Sequence, residues 1–347
     1  MNMQTQEQRF GFTGTGAEYF RIWIVNLFLS ILTLGIFSAW AKVRRMQYFY
    51  RNTRLGDSTF DYHGSPIAIL KGRLIAVALF AAYSIALKSM PMLGLGIGLA
   101  IALIMPYLLV TSFRFRLYNT SYRGLRFGFA GSVNSAYGVF LALPIISVLT
   151  LYLFAPFNHQ RIKAYQHNNS RFGQSTFTFN AGVGSFYKIY IFSFLQFLLL
   201  FTLFAFGAYG LLKGGLANSG KTDPQSAIVV VMVVYALMII AGLLIVPYFI
   251  SRIQNMVWNS TQLGKNRFSS SMTARGLAWI FFSNLVFTIL TLGLFKPFAA
   301  IRLARYKIEH MALLPSGEID EFIAGEEQKA GAAGMETAEI FDIDIGF

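Results

Sequence analysis

Seven stretches of the chain are strongly apolar and contain no Asp, Glu, Lys or Arg. A helix needs about 20 mostly apolar residues to cross a bilayer, and six of the stretches reach that length. The shortest one, 74–87, is flanked by Arg73 and Lys88, whose long side chains can reach the membrane surface from its ends. The pattern predicts an α-helical polytopic membrane protein with about seven apolar helical segments. They cover residues 22–41, 74–87, 89–113, 132–160, 189–212, 225–251 and 276–295.

One motif recurs within three of these stretches. Residues 32–37 read Leu-Thr-Leu-Gly-Ile-Phe, residues 149–154 read Leu-Thr-Leu-Tyr-Leu-Phe, and residues 290–295 read Leu-Thr-Leu-Gly-Leu-Phe. Such self-similarity indicates internal repeats, in which segments two to four resemble segments five to seven and segment one is an extra copy. Each copy is followed at the same spacing by an arginine: Arg44, Arg161 or Arg302.

A polar stripe accompanies the motif. Its members are spaced by four and three residues, which places them on one face of a helix. Polar groups inside a bilayer need partners. We therefore expect this face to form hydrogen bonds with a neighbouring helix or to border a polar cavity for a substrate. The stripe consists of Asn26, Ser30, Thr33, Ser147, Thr150, Asn284, Thr288 and Thr291.

A second repeated unit follows the apolar segments and has the character of short strands. Residues 52–62 align with residues 169–179, and weaker copies begin at Asn119 and Asn259. The N-terminal residues 10–14 resemble the end of this unit. Alternating aromatic residues next to glycine are typical of strands and turns. We expect up to five small cytoplasmic β-segments, joined into one sheet against the membrane surface.

The composition limits the chemistry that the chain can perform. The apolar fraction is 55%, the charged fraction 13% and the mean hydropathy +0.53, whereas soluble domains carry about 25% charged residues. The absence of cysteine excludes a disulfide framework and a thiolate metal site. With four histidines, we expect no metal site and no cofactor.

Charge is divided between the body of the chain and its end. Residues 1–308 contain 28 Lys/Arg and five acids, whereas residues 309–347 contain one base and ten acids. A basic body this rich in apolar sequence favours anionic lipid headgroups over nucleic acid as partners. The residues expected to face headgroups are Lys42, Arg44, Arg45, Arg161, Lys163, Arg302 and Arg305.

The distribution of Lys and Arg leaves two topologies open. Basic clusters favour the cytoplasmic side, but here they flank the fourth segment on both sides. Re-entry of segments one, four and seven places these clusters, and both termini, in the cytoplasm. The alternative is seven full spans that violate the charge rule, with the termini on opposite sides.

Motifs that could carry catalysis or nucleotide binding have little support from their context. Residues 215–222 match the phosphate-loop pattern G-x₄-G-K-[ST]. That loop works between a strand and a helix of a soluble α/β domain, and here it joins two apolar segments. Asp57, Asp61 and His63 form no recognisable catalytic set. We therefore expect no enzymatic activity and no nucleotide binding.

The acidic end of the chain suggests an interaction segment. Residues 338–347 alternate acidic and apolar side chains, so they could dock on the basic surface or bind a protein partner. A solvated, disordered tail is the alternative. The predicted division of the chain is 1–19 with one β-segment, 20–73, two repeat units at 74–185 and 186–308, and the acidic tail at 309–347.

Three motifs follow one another near the N-terminus. They are Leu-Thr-Leu-Gly-Ile-Phe-Ser-Ala-Trp-Ala-Lys-Val-Arg at 32–44, Asn-Thr-Arg-Leu-Gly at 52–56 and Phe-Asp-Tyr-His-Gly at 60–64. In this combination the chain resembles the YjgN-like family of bacterial inner-membrane proteins over nearly its whole length. The resemblance implies a multipass inner-membrane location. It implies no reaction and no catalytic residues.

Two functions follow from these features. Repeats, polar-striped helices and a basic surface favour a permease-like or lipid-interacting role. The β-segments and the acidic tail instead favour a structural or assembly scaffold of the cell envelope that binds a protein partner.

Overall fold

The protein consists of a small closed β-barrel and a bundle of apolar helices attached to one end of it. The computed structural model describes residues 7–219, 224–317, 323, 325 and 326. The phosphate-loop pattern is only partly covered, because residues 220–222 lie outside the described residues. Residues 338–347 of the acidic tail also lie outside them.

The barrel contains ten short strands among the described residues, each antiparallel to its neighbours and following chain order around the ring. It closes where the first strand pairs with the last, with Gln8 opposite Leu313. Strands of three to five residues are too short to cross a membrane, which takes about 9–11 residues. The strands are β1 (Gln8–Phe12), β2 (Thr53–Leu55), β3 (Ser58–Tyr62), β4 (Thr120–Tyr122), β5 (Leu125–Phe129), β6 (Ser170–Phe172), β7 (Ser175–Phe179), β8 (Thr261–Leu263), β9 (Asn266–Ser270) and β10 (Met311–Leu314).

The helices are inserted in pairs between successive strands. A π-helical turn, Gly138–Ala142, joins two of them into one apolar helix, Val133–Leu149. The helices are α1 (Gly16–Leu32), α2 (Ser38–Arg51), α3 (Pro66–Ser89), α4 (Pro91–Tyr118), α5 (Val133–Tyr137), α6 (Leu143–Leu149), α7 (Ala155–Asn168), α8 (Val183–Ser219), α9 (Pro224–Asn259), α10 (Ala274–Leu290) and α11 (Lys296–Glu309).

The chain thus forms five units of strand, helical insertion and strand around the barrel. The odd-numbered strands lead into helices α1–α11 and the even-numbered strands leave them, so each of these helices is attached at one mouth of the barrel, the helix-side mouth. Tight turns between the units lie at the opposite, distal mouth. At Gly56, Gly173 and Gly264 these turns adopt a φ of 57–58°, in the left-handed region that favours glycine.

The prediction of seven apolar helical segments with small β-segments is wrong. Within the described part of the chain, four helices are long and apolar enough to cross a membrane, and they belong to the second and fourth units. The β-segments are parts of a closed ten-strand barrel. Over the residues whose side chains the structure describes, the four helices cover Pro66–Ser89, Pro91–Tyr118, Val183–Gly207 and Ile228–Asn259.

The other three apolar stretches each contain a chain reversal, which explains the difference. In the first unit α1 ends at Leu32, and Leu34 and Gly35 follow with φ of 50° and 92°. The Gly35 N–H donates to the Ser30 carbonyl at 2.7 Å, closing a Schellman-type end. The chain then returns towards the barrel through α2. We call this feature the reversing turn; it recurs after α6 and after α10.

Candidate functional site

A ring of phenylalanines lines the interior of the barrel. One lies at the middle position of each odd-numbered strand, where alternation along the strand directs it inward. Successive ring centroids are 6.2, 6.4, 6.5 and 5.9 Å apart. We call this set the phenylalanine girdle. Its members are Phe10, Phe60, Phe127, Phe177 and Phe268.

A second layer of side chains comes from the even-numbered strands and lies nearer the distal mouth. Leu55, Tyr122, Phe172 and Leu263 pack with the girdle into one cluster. The Tyr122 hydroxyl donates to the Leu55 carbonyl at 2.7 Å, so this buried polar atom is satisfied within the wall. The two layers make the barrel interior apolar from one mouth to the other.

The two layers leave a cavity of about 240 Å³. At the helix-side mouth it is bordered by Tyr50, Leu117 and Trp258 near the ends of α2, α4 and α9. The surface that faces the cavity is apolar throughout. Because an apolar cavity of about 150 Å³ can bind benzene, this cavity has room for part of a hydrocarbon chain.

His167 lies beside the helix-side mouth, at the end of α7. Its ring is 5.5 Å from the ring of Trp258, and its Nδ1 is 3.1 Å from the Thr261 hydroxyl. Burial, together with the charge of Lys163, lowers the pKa of His167 to about 4. The imidazole is therefore neutral at physiological pH, which suits an apolar mouth.

A groove of about 500 Å³ lies between α1 and α2 on the outside of the barrel. Three guanidinium groups border it, from Arg21, Arg44 and Arg51, together with the apolar side chains of Ile22 and Val25. Arg51 also pairs with Asp61 at 2.8 Å. This combination of cationic and apolar lining suits a molecule with an anionic head and an apolar tail.

Most of the predicted polar stripe satisfies the backbone of the helices. The Thr33 hydroxyl donates to the Leu29 carbonyl at 2.7 Å and accepts from the Phe37 N–H at 2.9 Å. Thr150 and Thr291 make the same pair of bonds. Ser30 and Ser147 each donate to the carbonyl four residues earlier. The threonines thus support the reversing turns.

Three members of the stripe have other surroundings. Asn284 accepts from Arg302 at 2.8 Å, and with Thr288 it borders a groove of about 440 Å³ between α9 and α10. Asn26, its counterpart in the first unit, is buried with a side-chain oxygen that has no hydrogen-bond partner. The structure does not bring Asn26 and Asn284 into one cavity.

The predicted headgroup-facing residues divide into three groups. Arg44, Arg45 and Arg161 lie over the rings of Phe37, Phe49 and Phe157 at 5.6, 5.7 and 4.9 Å. The second group, Arg302 and Arg305, bonds to the protein itself. The third group is Lys42 and Lys163, on α2 and α7.

The acids and histidine considered for catalysis have structural partners. Burial alone would raise the pKa of Asp61, but hydrogen bonds from Arg51 and from the Tyr62 N–H hold that pKa below its ordinary value. His63 Nε2 is 2.8 Å from the Ser121 hydroxyl on β4. Residues 215–219 of the phosphate-loop pattern continue helix α8. The expectation of no enzymatic activity stays a prediction.

Sequence reasoning predicted up to five β-segments but missed the closed barrel and the site that it encloses. The available signal was the aromatic residue at the same place in each β-unit, as in Phe10-Gly11-Phe12 and Phe127-Gly128-Phe129. Two further wall residues, Ile323 and Glu326, gave no signal because they lie in the acidic tail, far along the chain from the strands that they contact.

Taken together, these features define a helical membrane protein that carries a small, apolar β-barrel on one side. Residues 7–340 match the family of bacterial proteins of unknown function DUF898, and the chain belongs to that family. The resemblance drawn from the sequence motifs is thereby confirmed.

Relatives in this family carry the name inner membrane protein YjgN. The one from Salmonella typhimurium is 25% identical over 367 residues, which cover 92% of this chain and 91% of the relative. Those from two strains of Escherichia coli are 29% identical over 148 residues, 42% of this chain and 37% of each relative. No solved structure matches this chain. The relatives and the apolar helices together support an inner-membrane location.

Proposed function

We propose that this protein is a lipid-interacting protein of the inner membrane that holds part of a lipid's hydrocarbon chain inside its barrel. The observation that carries the proposal is the apolar cavity inside the phenylalanine girdle. A barrel of about eight strands has an interior that side chains fill or that holds one small ligand, and diameter grows with strand number, so a ten-strand barrel has room for a ligand. The proposed role is binding, and no catalytic step is part of it.

The position of the cavity favours entry from the membrane. All helices attach at the helix-side mouth, so the cavity opens towards the part of the molecule that lies in the bilayer. A hydrocarbon chain that moves from the bilayer into an apolar cavity loses no hydration, because both surroundings are apolar. Shape and dispersion contacts with the girdle would then decide which chains bind.

The groove of Arg21, Arg44 and Arg51 supports the same role at a second place. Guanidinium groups bind phosphate through paired hydrogen bonds, and Ile22 and Val25 continue the groove as apolar surface. In our proposal the groove retains anionic phospholipid at the barrel side of the membrane. The basic clusters lie on the barrel side of the molecule, and such clusters favour the cytoplasmic face of a membrane. We therefore place the barrel, with both chain termini, in the cytoplasm.

Mass spectrometry of the protein in native membrane nanodiscs tests the proposal. We expect a lipid at fixed stoichiometry with the wild-type protein and at least tenfold less of it with Leu263→Phe, which fills the cavity. The control is Leu203→Phe, the same exchange at a side chain of α8 that is 65% exposed, and it should retain the lipid.

Two results of the same measurement contradict the proposal. If both variants retain the wild-type lipid, the cavity does not hold it. If the protein copurifies with another protein at fixed ratio and only with bulk lipid, the scaffold role is favoured instead, with the acidic tail as the first region to truncate.

A further inference from the structure

Glu326, from the acidic end of the chain, is buried against the barrel with only 1% of its surface exposed. Its carboxylate accepts hydrogen bonds from the backbone N–H groups of Gln174 and Ser175 at 2.6 and 2.9 Å. The Ser175 hydroxyl donates to the other oxygen at 3.0 Å. These three bonds hold the carboxylate on the turn between β6 and β7.

The same turn is shaped to let the carboxylate approach. Gly173 has a φ of +57°, and a Cβ at this position would lie 2.8 Å from Glu326 Oε2. A larger residue there would be strained and would press on the carboxylate. Glycine at 173 thus serves both the turn and the contact with Glu326.

The end of the chain contacts the rim of the distal mouth at two places. After β10 the Ser316 N–H donates to the Asn266 side chain on β9 at 3.0 Å. Glu326 contacts the β6–β7 turn, two to three strands away from β9 around the ten-strand ring. Between these two anchors, Ile323 lies inside the barrel cluster with 4% exposure and borders the cavity.

We infer that Ile323 and Glu326 close the distal mouth of the barrel, with Ile323 as the floor of the cavity and Glu326 as the positioning residue that holds it there. The floor leaves the helix-side mouth as the route for a ligand. The size of the side chain at position 323 then sets how deep a hydrocarbon chain can enter. The assignment of Ile323 as a specificity-determining residue rests on the proposed lipid binding, whereas closure of the mouth does not.

Closure of the distal mouth is tested by thiol labelling, which needs no lipid measurement. The native chain contains no cysteine, so a single introduced thiol gives the whole signal. A single Leu55→Cys substitution places a thiol in the barrel cluster, and its rate of reaction with a water-soluble maleimide reports access through the distal mouth. Adding Glu326→Gln removes the charge-assisted bonds to the turn, and we expect labelling to become about tenfold faster or more.

The control for this measurement is Glu309→Gln, a matched exchange at a half-exposed glutamate of α11. It should leave the labelling rate unchanged. Fast labelling with the tail intact, or equal rates in all three proteins, would overturn the closure of the mouth. A thermal unfolding curve for each variant shows whether faster labelling reflects release of the segment or loss of the fold.

Depth is tested by the chain lengths of the lipids retained in nanodiscs. We expect Ile323→Ala to shift them towards longer chains and Ile323→Phe towards shorter ones. Ile301→Ala, at an equally buried isoleucine outside the barrel cluster, should leave the distribution unchanged. If both Ile323 variants bind lipids with the wild-type distribution of chain lengths, Ile323 is not the floor of the cavity, but the proposed lipid binding still stands. Absence of lipid from the wild-type protein overturns the proposed function and leaves the labelling result standing.

Discussion

The helical insertions of the second and fourth units are long and those of the other three units are short. All five start and end on the same barrel, but they differ in how far they extend from it. In the second unit, α3 and α4 have 24 and 28 residues, which at 1.5 Å per residue is about 36 and 42 Å. In the first unit, α1 has 17 residues, or about 26 Å. The hydrocarbon core of a bilayer is about 30 Å thick, so the long pairs can cross it and the short ones cannot.

The difference teaches that a few turn residues, and not overall hydrophobicity, decide the reach of an apolar stretch. Leu34, Leu151 and Leu292 at the reversing turns have between 87% and 95% of their surface exposed. Exposed leucines at the tip of a helical hairpin suit a lipid environment. The short units are helical hairpins, and we predict that they enter the membrane and return on the same side.

The largest expected effect concerns the end of each helical insertion that lies farthest from the barrel, in a long unit and in a short one. A cysteine in place of Met92, at the start of α4, should react with a membrane-impermeant maleimide added to the periplasmic side. A cysteine in place of Leu292 should not, because its tip lies inside the hydrocarbon. The native chain supplies no competing thiol.

A cysteine in place of Thr176, exposed on the outside of β7, is the control. It should react only when inside-out vesicles present the barrel side. Equal periplasmic labelling at positions 92 and 292 would mean that the last unit crosses the membrane, which is the topology of seven full spans.

The second prediction compares equivalent arginines of two short units. Arg302 donates to Asn284 and Ser283 at 2.8 and 3.0 Å, whereas Arg44 borders the open groove. We expect Arg302→Gln to lower the free energy of unfolding by about 1.5 kcal/mol. Arg44→Gln should change it by less than about 0.5 kcal/mol and should reduce the anionic lipid retained.

Unfolding in mixed micelles measures the first quantity, and lipid mass spectrometry measures the second. Equal destabilisation by both variants would show that Arg44 is held by the protein as firmly as Arg302.

The third prediction concerns the left-handed residues of the reversing turns. Gly293 has a φ of 92°, and its counterpart Tyr152 has a φ of 63°. We expect Gly293→Ala to destabilise the protein by about 1 kcal/mol, and Tyr152→Gly to stabilise it by less than that. Gly207→Ala in helix α8, where a Cβ meets no atom, should be neutral or slightly stabilising. A loss of stability in all three would contradict a specific role for the turns.

A further prediction concerns the junction of a short and a long unit, where His167 of α7 contacts Thr261 of β8. The pKa of His167 is about 4 in the folded protein, below its ordinary value of about 6.5. The unfolded chain therefore binds a proton first as the pH falls from about 6.5 towards 4, and stability is lost over that range.

Melting temperatures at pH 7 and pH 5 measure this loss. We expect a smaller difference for His167→Asn, because the asparagine amide can still bond to the Thr261 hydroxyl and does not titrate. The same pH dependence in both proteins would assign the loss to other groups.

The sequence located much of the secondary structure but not its closure. The β-unit at 52–62 is the hairpin β2–β3, because alternation and glycine are local signals. The pairing of β1 with β10 could not be predicted, because it joins residues about 300 positions apart and no local sequence pattern encodes it. The spacing of Thr33, Thr150 and Thr291 predicts a polar face, since residues that cap a turn and residues that line a face share the same helical spacing.

Closure through β1 and β10 also sets the order of events during biosynthesis. Gln8 must wait for Leu313, made about 300 residues later, or about 15–60 seconds at ordinary rates of translation. Helices α1–α11 are synthesised within that interval, so the membrane segments can be inserted before the barrel closes. The ring of strands can therefore close only after the membrane helices have been made.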